Sequence, residues 1–237
     1  IKDDASITYE ELIAYKMNTG MEAADRFLDN LLTAVKQYPD STAKKAASVL
    51  QKWDKATNAN SRGAVLFGTW FDKLNDTMFA TAWSPLHPIT TPNGLKNPGK
   101  SVELLSKAAL EVQQQYGALD VAWGEVNRFK VGQYEFPANG GSGNYGIFRT
   151  IYYQRNPQDG KKYAYYGDSY VAVVEFGPKV KAQVLLSYGN ATQPGNKHVG
   201  DQLKLLSQKK LRTALLTKEE VLQNLEEREI VNMSKHF

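Results

Sequence analysis

The chain contains no cysteine among its 237 residues and only three histidines. The lack of cysteine excludes disulfide bonds, thiolate metal ligands and a cysteine nucleophile from this chain. The histidines, His87, His198 and His236, are scattered and do not have the spacing that is typical of a zinc site. We expect His87, between two prolines, to pack in a loop and His236, the penultimate residue, to be frayed.

Long hydrophobic runs are also missing. No segment approaches the roughly 18 uninterrupted apolar residues that a membrane-spanning helix needs. The first residues do not show a charged segment followed by an apolar one, as a secretory signal would. Because the chain starts at Ile1 rather than at Met, a leader would have been removed or would lie outside this sequence. We therefore expect no membrane partner.

The formal net charge is +4, but the basic residues are spread among 25 acidic ones. The densest basic cluster is predicted to lie on a helix that also carries several leucines, so it is interpreted as a solvated helix face rather than a phosphate-binding patch. Its members are Lys204, Lys209, Lys210 and Arg212. We therefore expect no nucleic-acid partner.

The first half of the chain has a helical pattern. Between Ala24 and Tyr38, apolar residues recur at intervals of three and four, which places them on one face of a helix that Pro39 ends. A second helix is predicted over Thr42–Asp54, capped by Asp40 or Ser41. A third runs from about Ser61 to Leu74 and contains an aromatic cluster. Trp53, Phe67, Trp70 and Phe71 are predicted to be core residues, with a contribution to a pocket as the alternative.

Four prolines lie within Ser84–Lys100, which is therefore predicted to be a long ordered loop. Ser101 is then the predicted N-cap of a helix that ends at Gly117.

After Asp120 the sequence becomes β-rich. Strands are predicted over Tyr145–Gln154, Ser169–Phe176 and Val180–Ser187, and the Gly177-Pro178-Lys179 turn should join the last two as a hairpin. The apolar content of that hairpin predicts burial on both faces. Helices are predicted over 201–212 and 218–231, the second opened by a capping box of Thr217 and Glu220.

The segment Leu185–Gln202, LLSYGNATQPGNKHVGDQ, carries the most distinctive residues. His198 and Asp201, with Ser187 nearby, have the residue types of a base, its orienting group and a nucleophile. The three-residue spacing at a loop-to-helix junction fits an N-cap and loop clamp better, because Asp201 near a helix N-terminus would accept backbone N–H groups. The predicted signature residues here are Gly189, Asn190, Pro194, His198, Asp201 and Gln202.

A glycine-rich run, Gly140, Gly141, Gly143 and Gly146, forms a second signature. It is not followed by the Lys-Ser/Thr pair and helix of a phosphate loop, so tight turns or close backbone contacts are the better interpretation. The Gly167-Asp168 pair is likewise interpreted as a turn.

Four segments, in this order, resemble the penicillin acylase / acyl-homoserine lactone acylase family. They are Thr8–Leu32, Ala46–Trp70 with its AASVLQKWD and GAVLFGTWF pieces, GGSGNYGIFRT at Gly140–Thr150, and Leu185–Gln202. The resemblance covers most of the chain and rests on the order and spacing of the segments. It implies an α+β fold in which a helical lobe, residues 1–120, precedes antiparallel strands and C-terminal helices, residues 121–237, that complete the layered αββα core of an N-terminal-nucleophile hydrolase.

The resemblance also implies the chemistry, which is hydrolysis of a linear N-acyl amide such as a penicillin or an acyl-homoserine lactone. In this family the hydroxyl of an N-terminal Ser attacks the amide and its own α-amino group acts as the base. Ile1 has no hydroxyl, and Ile1–Ile7 contains no Asn to supply the family's oxyanion donor. We therefore assign no catalytic residue to this chain and expect it to be inactive alone.

The partners that the resemblance implies are the α-chain and the N-terminal part of the β-chain of the same autoprocessed zymogen, together with a small-molecule amide substrate. It implies no cofactor in this chain, and it allows a structural calcium elsewhere in the full enzyme. It also implies a periplasmic or secreted enzyme with a link to antibiotic biosynthesis.

A non-catalytic binding module remains the alternative. The β-rich half carries many tyrosines, which would offer stacking surfaces to peptides or sugars if they were exposed on one face. They are Tyr145, Tyr152, Tyr153, Tyr163, Tyr165, Tyr166 and Tyr170.

Overall fold

The computed structural model describes residues 5–225, 227 and 228. Helices and strands alternate in two blocks, first mainly helical and then mainly β. The helices are α1 Tyr9–Lys16, α2 Glu22–Gln37, α3 Ser41–Leu50, α4 Ala64–Phe71, α5 Pro98–Tyr116, α6 Trp123–Val126, α7 Leu203–Ser207 and α8 Lys218–Gln223. The strands are β1 Phe79–Thr81, β2 Asn93–Leu95, β3 Asn127–Val131, β4 Tyr134–Pro137, β5 Ile151–Arg155, β6 Lys162–Gly167, β7 Tyr170–Glu175, β8 Lys181–Leu186 and β9 Arg212–Thr213. The α+β class predicted from the sequence is confirmed.

The first predicted helix is α2, whose apolar face is buried as the spacing predicted. The next helix, α3, is capped by Asp40, whose Oδ1 accepts a hydrogen bond from the Ala43 amide at 2.7 Å. It ends at Leu50, four residues before the predicted end at Asp54. Trp53 therefore lies outside the helix, where its indole N–H donates to the carbonyl oxygen of Ala56 at 2.9 Å.

The predicted loop Ser84–Lys100 is wrong in its second half. Residues of β2 pair antiparallel with β1, and α5 begins at Pro98 rather than after Ser101. Asn97 is the N-cap, because its Oδ1 accepts from the Lys100 amide at 3.1 Å. Proline is tolerated at the first helical position, where its missing N–H would have no partner in the helix. The helix ends at Gly117, with φ 77°, as predicted.

The helices enclose an aromatic core. Phe27, Phe67 and Trp70 are fully buried, and the Phe67 ring centroid lies 5.2 Å from those of Trp53 and Trp70. The core positions predicted for Trp53, Phe67 and Trp70 are confirmed, whereas Phe71 is only partly buried against the cluster. Trp123, Val126 and Ile147 join the same cluster, which therefore extends into the β block, and a second core cluster lies among the β strands and α7. The domain boundary at residues 120 and 121 stays a prediction.

The β block contains a four-stranded sheet in the order β4-β3-β6-β5 and a three-stranded sheet in the order β7-β8-β9. The predicted hairpin is confirmed, with Tyr170 opposite Leu186 and Glu175 opposite Lys181. The pairing is antiparallel throughout except between β3 and β6, which are parallel. The strand predicted from Tyr145 begins only at Ile151, because Gly143–Tyr145 forms a 3-10 turn.

The predicted burial of the β7–β8 hairpin on both faces is wrong. Val171 and Val173 are buried, whereas Tyr170 is 60% exposed and Val174 is 39% exposed. Successive side chains of a strand point to opposite faces, so in the described part of the chain only one face of β7 is covered. The buried face packs with Leu203 and Leu206.

The helix predicted over 201–212 is also wrong. Its helical part is α7, five residues long, and Lys209 has φ 58°, which ends the helical path. Arg212 instead belongs to β9, opposite Val184. Lys209 does not lie on a solvated helix face, since its ammonium group donates to Asn58 and to Thr19.

The capping box of Thr217 and Glu220 is confirmed at the start of α8. The helix ends at Gln223, and the last part of the predicted helix up to Val231 reaches residues outside those described, as does His236. None of the helices in the described residues is both long enough and apolar enough to cross a membrane.

Candidate functional site

The Leu185–Gln202 segment is closed by the buried side chain of Gln202. Its Oε1 accepts from the Leu186 amide at 3.0 Å, and its Nε2 donates to Asn190 Oδ1 at 3.2 Å. The backbone N–H of Gln202 donates to the carbonyl oxygen of Tyr188 at 2.9 Å. One side chain thus ties the end of β8, the loop and the start of α7 together.

Within the loop, Gly189 lies directly against the backbone of His198. A Cβ at Gly189 would overlap the His198 carbonyl group and would lie 2.6 Å from Asp201 Oδ1, so a larger residue does not fit. The same carbonyl oxygen accepts from the Ala191 amide at 3.2 Å. Pro194 is exposed at the far side of the loop.

His198 and Asp201 contact each other, with Nδ1 and Oδ2 2.8 Å apart. The N-cap role predicted for Asp201 is wrong, because the residue that precedes α7 is Gln202 and the Asp201 carboxylate is held by His198. Ser187 is buried and its Oγ donates to the carbonyl oxygen of Asp168. Its proton is therefore directed at the backbone and not at His198, so these residues do not form a nucleophile and base.

The glycine-rich run makes turns and close contacts. Gly140 has φ 82°, and a Cβ there would lie 2.5 Å from the carbonyl oxygen of Arg149. Gly141 pairs with the residues at the start of β5. Its backbone N–H donates to the carbonyl oxygen of Arg149, and its carbonyl oxygen accepts from the Ile151 amide at 2.9 Å. Gly146 has φ 69°, and a Cβ there would lie 2.5 Å from Glu22 Cβ. Gly143 begins the 3-10 turn beside Thr150 and Tyr152.

The two signature segments meet at a buried ion cluster that the sequence did not reveal. Arg149 is fully buried; its Nη2 donates to the carbonyl oxygen of Leu206 at 3.1 Å and its Nη1 lies 4.0 Å from Asp168 Oδ2. Asp168, predicted only as a turn residue, also pairs with Lys16 at 2.7 Å. Burial lowers the pKa of the Arg149 guanidinium, which the Asp168 charge opposes. The only sequence signal was a lone arginine flanked by Ile147, Phe148 and Ile151.

A second polar cluster, at the protein surface, joins the two blocks at Asp72, which follows α4. Both carboxylate oxygens of Asp72 are 2.8 Å from the hydroxyl of Tyr145, which donates to them. Burial raises the pKa of Asp72 and also that of Tyr145. Lys162 on β6 is half-buried beside this pair, and burial lowers the pKa of its ammonium group.

An open cleft of about 700 Å³ lies between the Leu185–Gln202 segment and the last described residues. His198, Asp201 and Arg212 face it from one side, and Leu215, Val221 and Leu225 line the other. Within the described residues, no three histidine, aspartate or glutamate side chains are arranged to hold a metal ion. The polar groups at both signatures bond to the backbone or to each other, which makes them part of a scaffold.

The fold and these sites define an α+β chain whose buried polar groups hold two signature segments together. Comparison with known proteins then identifies the family: the family model described as penicillin amidase matches residues 1–223, and the chain belongs to that family. The family resemblance inferred from the sequence is confirmed.

Two relatives illustrate the relationship. The chain is 27% identical to the acyl-homoserine lactone acylase PvdQ of Pseudomonas syringae pv. syringae (strain B728a), over 93% of this chain and 30% of the relative. It is 26% identical to the aculeacin-A acylase of Actinoplanes utahensis, over 80% of this chain and 25% of the relative. The chain therefore spans less than a third of the length of these relatives.

Among solved structures, the thermostable penicillin G acylase from Alcaligenes faecalis has 17% sequence identity to this chain and a TM-score of 0.47. The match covers 99% of this chain and 51% of that chain.

Proposed function

We propose that this chain is the C-terminal portion of the β-chain of an acylase that hydrolyses linear N-acyl amides. One observation carries the proposal: the family match extends over residues 1–223, while the chain corresponds to less than a third of relatives named as acylases of acyl-homoserine lactones and of aculeacin A. The nucleophile, its α-amino base and the oxyanion donors then lie upstream, and this chain alone is inactive.

Exposed aromatic side chains on the β block support the proposal that a further part of the protein covers this block. Tyr165, Tyr166, Tyr170, Phe148 and Phe176 are between 60% and 85% exposed. Large aromatic side chains left exposed in this way are what a further segment of the assembled protein would cover. The α-chain and the N-terminal part of the β-chain are the proposed partners, and the substrate is a small-molecule amide.

Strand order supports the same arrangement. β7 lies at one edge of its sheet and β5 at an edge of the other, so each presents backbone N–H and C=O groups to a further strand. Upstream strands that pair with these edges would complete a layered αββα body. In this arrangement Gln202 and Arg149 act as scaffold residues.

The proposal includes self-cleavage of a zymogen and a periplasmic or secreted location, with which the lack of cysteine is compatible. It places any structural calcium outside this chain. A penicillin-like or acyl-homoserine lactone substrate is the proposed substrate class, and a link to antibiotic biosynthesis belongs to the same proposal.

Expression of the full-length protein tests the proposal. We expect mass spectrometry to detect two chains, the second of which begins with Ser and contains all of residues 1–237. Replacement of that Ser by Ala should leave a single uncleaved chain. A protein that never cleaves and releases no amine from N-acyl amides would contradict the proposal.

A peptide- or sugar-binding sheet is the second candidate, favoured by the exposure of Tyr165, Tyr166 and Tyr170. The rings of Tyr152 and Tyr166 lie 5.8 Å apart and would offer adjacent stacking faces. Tyr145 and Tyr153, in contrast, pack against the helical core. If the full-length protein covers the three exposed tyrosines, so that Tyr166→Ala has no effect on oligosaccharide or peptide binding, this candidate fails.

A further inference from the structure

An uncharged loop, residues 82–92, joins β1 to β2 at the surface of the helical block. The longer stretch from residue 77 to residue 95 contains no Asp, Glu, Lys or Arg, although these four residue types make up 23% of the chain. Charged residues are the ones most often found at protein surfaces. Their absence from an exposed loop indicates that its surface has a role other than contact with water.

Three large apolar side chains of this loop are exposed to solvent. Trp83 is 57% exposed, Leu86 83% and Ile89 82%. A single exposed apolar residue is normal in a soluble protein, whereas a group of them on one short loop is typical of a surface that binds a partner. The loop therefore presents an apolar tip at Leu86 and Ile89.

The polar groups of the loop, in contrast, bond inwards. The buried hydroxyl of Thr91 accepts from the Ser84 amide at 2.9 Å and donates to the carbonyl oxygen of His87 at 2.7 Å. From α2, the guanidinium group of Arg26 donates to the carbonyl oxygen of Ile89 at 2.7 Å and also to that of Thr91. These bonds fix the loop before it meets a partner, which lowers the entropy cost of binding.

The charges next to the loop favour a protein partner over a lipid surface. Segments that insert into a membrane are typically accompanied by Lys and Arg, which attract anionic lipids. On α2, however, the exposed acids Glu22 and Asp29 lie on the same face as Arg26, and Glu22 pairs with Arg26 at 3.1 Å. The exposed lysine that follows β2, Lys96, does not outweigh these acids.

We propose that residues 82–92 are a docking loop, which inserts Leu86 and Ile89 into an apolar pocket of the part of the same protein that lies outside this chain. The chain covers only 30% of its acyl-homoserine lactone acylase relative, so a protein of that length has ample further surface to supply the pocket. The inference rests on the proposed function for its partner, and it names the surface through which this chain contacts that partner.

Cysteine labelling of the full-length protein tests the inference. Because this chain contains no cysteine, Ile89→Cys introduces a single thiol into it, and mass spectrometry of the peptides identifies the labelled site. The matched control is Gln114→Cys, at an exposed polar position of α5. In the native protein we expect maleimide to label Ile89→Cys at least about tenfold more slowly than Gln114→Cys, since a covered thiol reacts only after local opening. In urea both should react at the same rate.

Equal labelling of the two thiols in the native protein would overturn the inference. Protection of Ile89→Cys that appears only with added phosphatidylglycerol–phosphatidylcholine vesicles, or that is lost on dilution, would overturn it in favour of a lipid surface or a second copy of the protein. Leu86→Cys gives the same measurement if Ile89→Cys does not fold. The labelling does not depend on self-cleavage, so a protein that protects the loop but never cleaves and releases no amine would contradict the proposed function and support the docking loop.

Discussion

The side-chain oxygen of Gln202 accepts the backbone amide hydrogen of Leu186 at 3.0 Å, across a loop of fifteen residues in between. This bond joins the last residue of β8 to the residue that precedes α7. His198 and Asp201, which have the residue types of a catalytic pair, instead hold the loop beside this bond. These contacts therefore give the segment a structural role in this chain, since its side chains hold the loop.

Replacing Gln202 by Met should lower the free energy of unfolding by about 1–3 kcal/mol, because the Leu186 amide would stay buried without an acceptor. Gln208→Met, at the exposed residue that follows α7, is the matched control and should change stability by less than about 0.5 kcal/mol. Urea unfolding followed by circular dichroism measures both variants. Equal stability of the two would show that the Gln202 bond does not hold the segment.

Two glycines with similar backbone angles separate conformational strain from steric overlap. Gly117, φ 77°, has nothing within 4 Å of a Cβ, whereas at Gly140, φ 82°, a Cβ would lie 2.5 Å from the Arg149 carbonyl oxygen. Gly117→Ala should therefore cost about 1–2 kcal/mol, the penalty of a left-handed conformation alone. Gly140→Ala should cost clearly more in the same unfolding experiment. A smaller loss at Gly140 than at Gly117 would contradict the close contact.

The raised pKa of Asp72 predicts a pH-dependent stability difference. Burial favours the protonated carboxyl group, so the folded state loses stability relative to the unfolded state as pH rises from the ordinary value of 3.8 through the pKa of Asp72 in the folded protein. Asp72→Asn keeps an acceptor for the Tyr145 hydroxyl but carries no charge.

The wild type and Asp72→Asn should therefore have similar melting temperatures below pH 3.8, after subtraction of the Asp29→Asn control at an exposed site of α2. The Asn variant should become the more stable of the two at neutral pH. If the stability of the wild type relative to Asp72→Asn instead increased from acidic to neutral pH, the sign would be the opposite one. That result would refute the burial argument.

The buried cluster around Arg149 predicts that substitutions of Lys16 and Arg149 have non-additive effects on the free energy of unfolding. Asp168 lies between Lys16, at 2.7 Å, and Arg149, at 4.0 Å, so either cation alone keeps it paired. Lys16→Met and Arg149→Met together should lose more unfolding free energy than the sum of the single losses, because a buried carboxylate without a cation is strongly destabilising. The pair Lys16→Met and Arg155→Met is the control, and additivity in both pairs would contradict the cluster.

Local features were predictable from the sequence. The apolar spacing of α2, the glycine at the end of α5 and the Thr217 capping box depend on residues within one or two helical turns, and all three are as predicted. The start of α5 was misplaced by four residues, because Asn97 as the N-cap and Pro98 at the first helical position together make a stronger start than Ser101.

Long-range relationships were not predictable from the sequence. The hydrogen bond between Tyr145 and Asp72 joins residues that are 73 positions apart, and the one between Lys209 and Asn58 joins residues 151 positions apart. No local sequence pattern predicts either bond. The parallel pairing of β3 with β6 and the strand at Arg212 depend in the same way on packing between distant segments. The failed prediction of a doubly buried hairpin arose because apolar content alone does not state which face is covered.

Amide hydrolysis with and without the upstream part of the protein tests the central claim most directly. The assay measures amine release from an N-acyl-homoserine lactone by the 237-residue chain alone and by the processed full-length protein. We predict no release above background from the chain alone and clear release from the processed protein. Hydrolysis by the isolated chain would contradict the account, because a nucleophile would then have to lie within it.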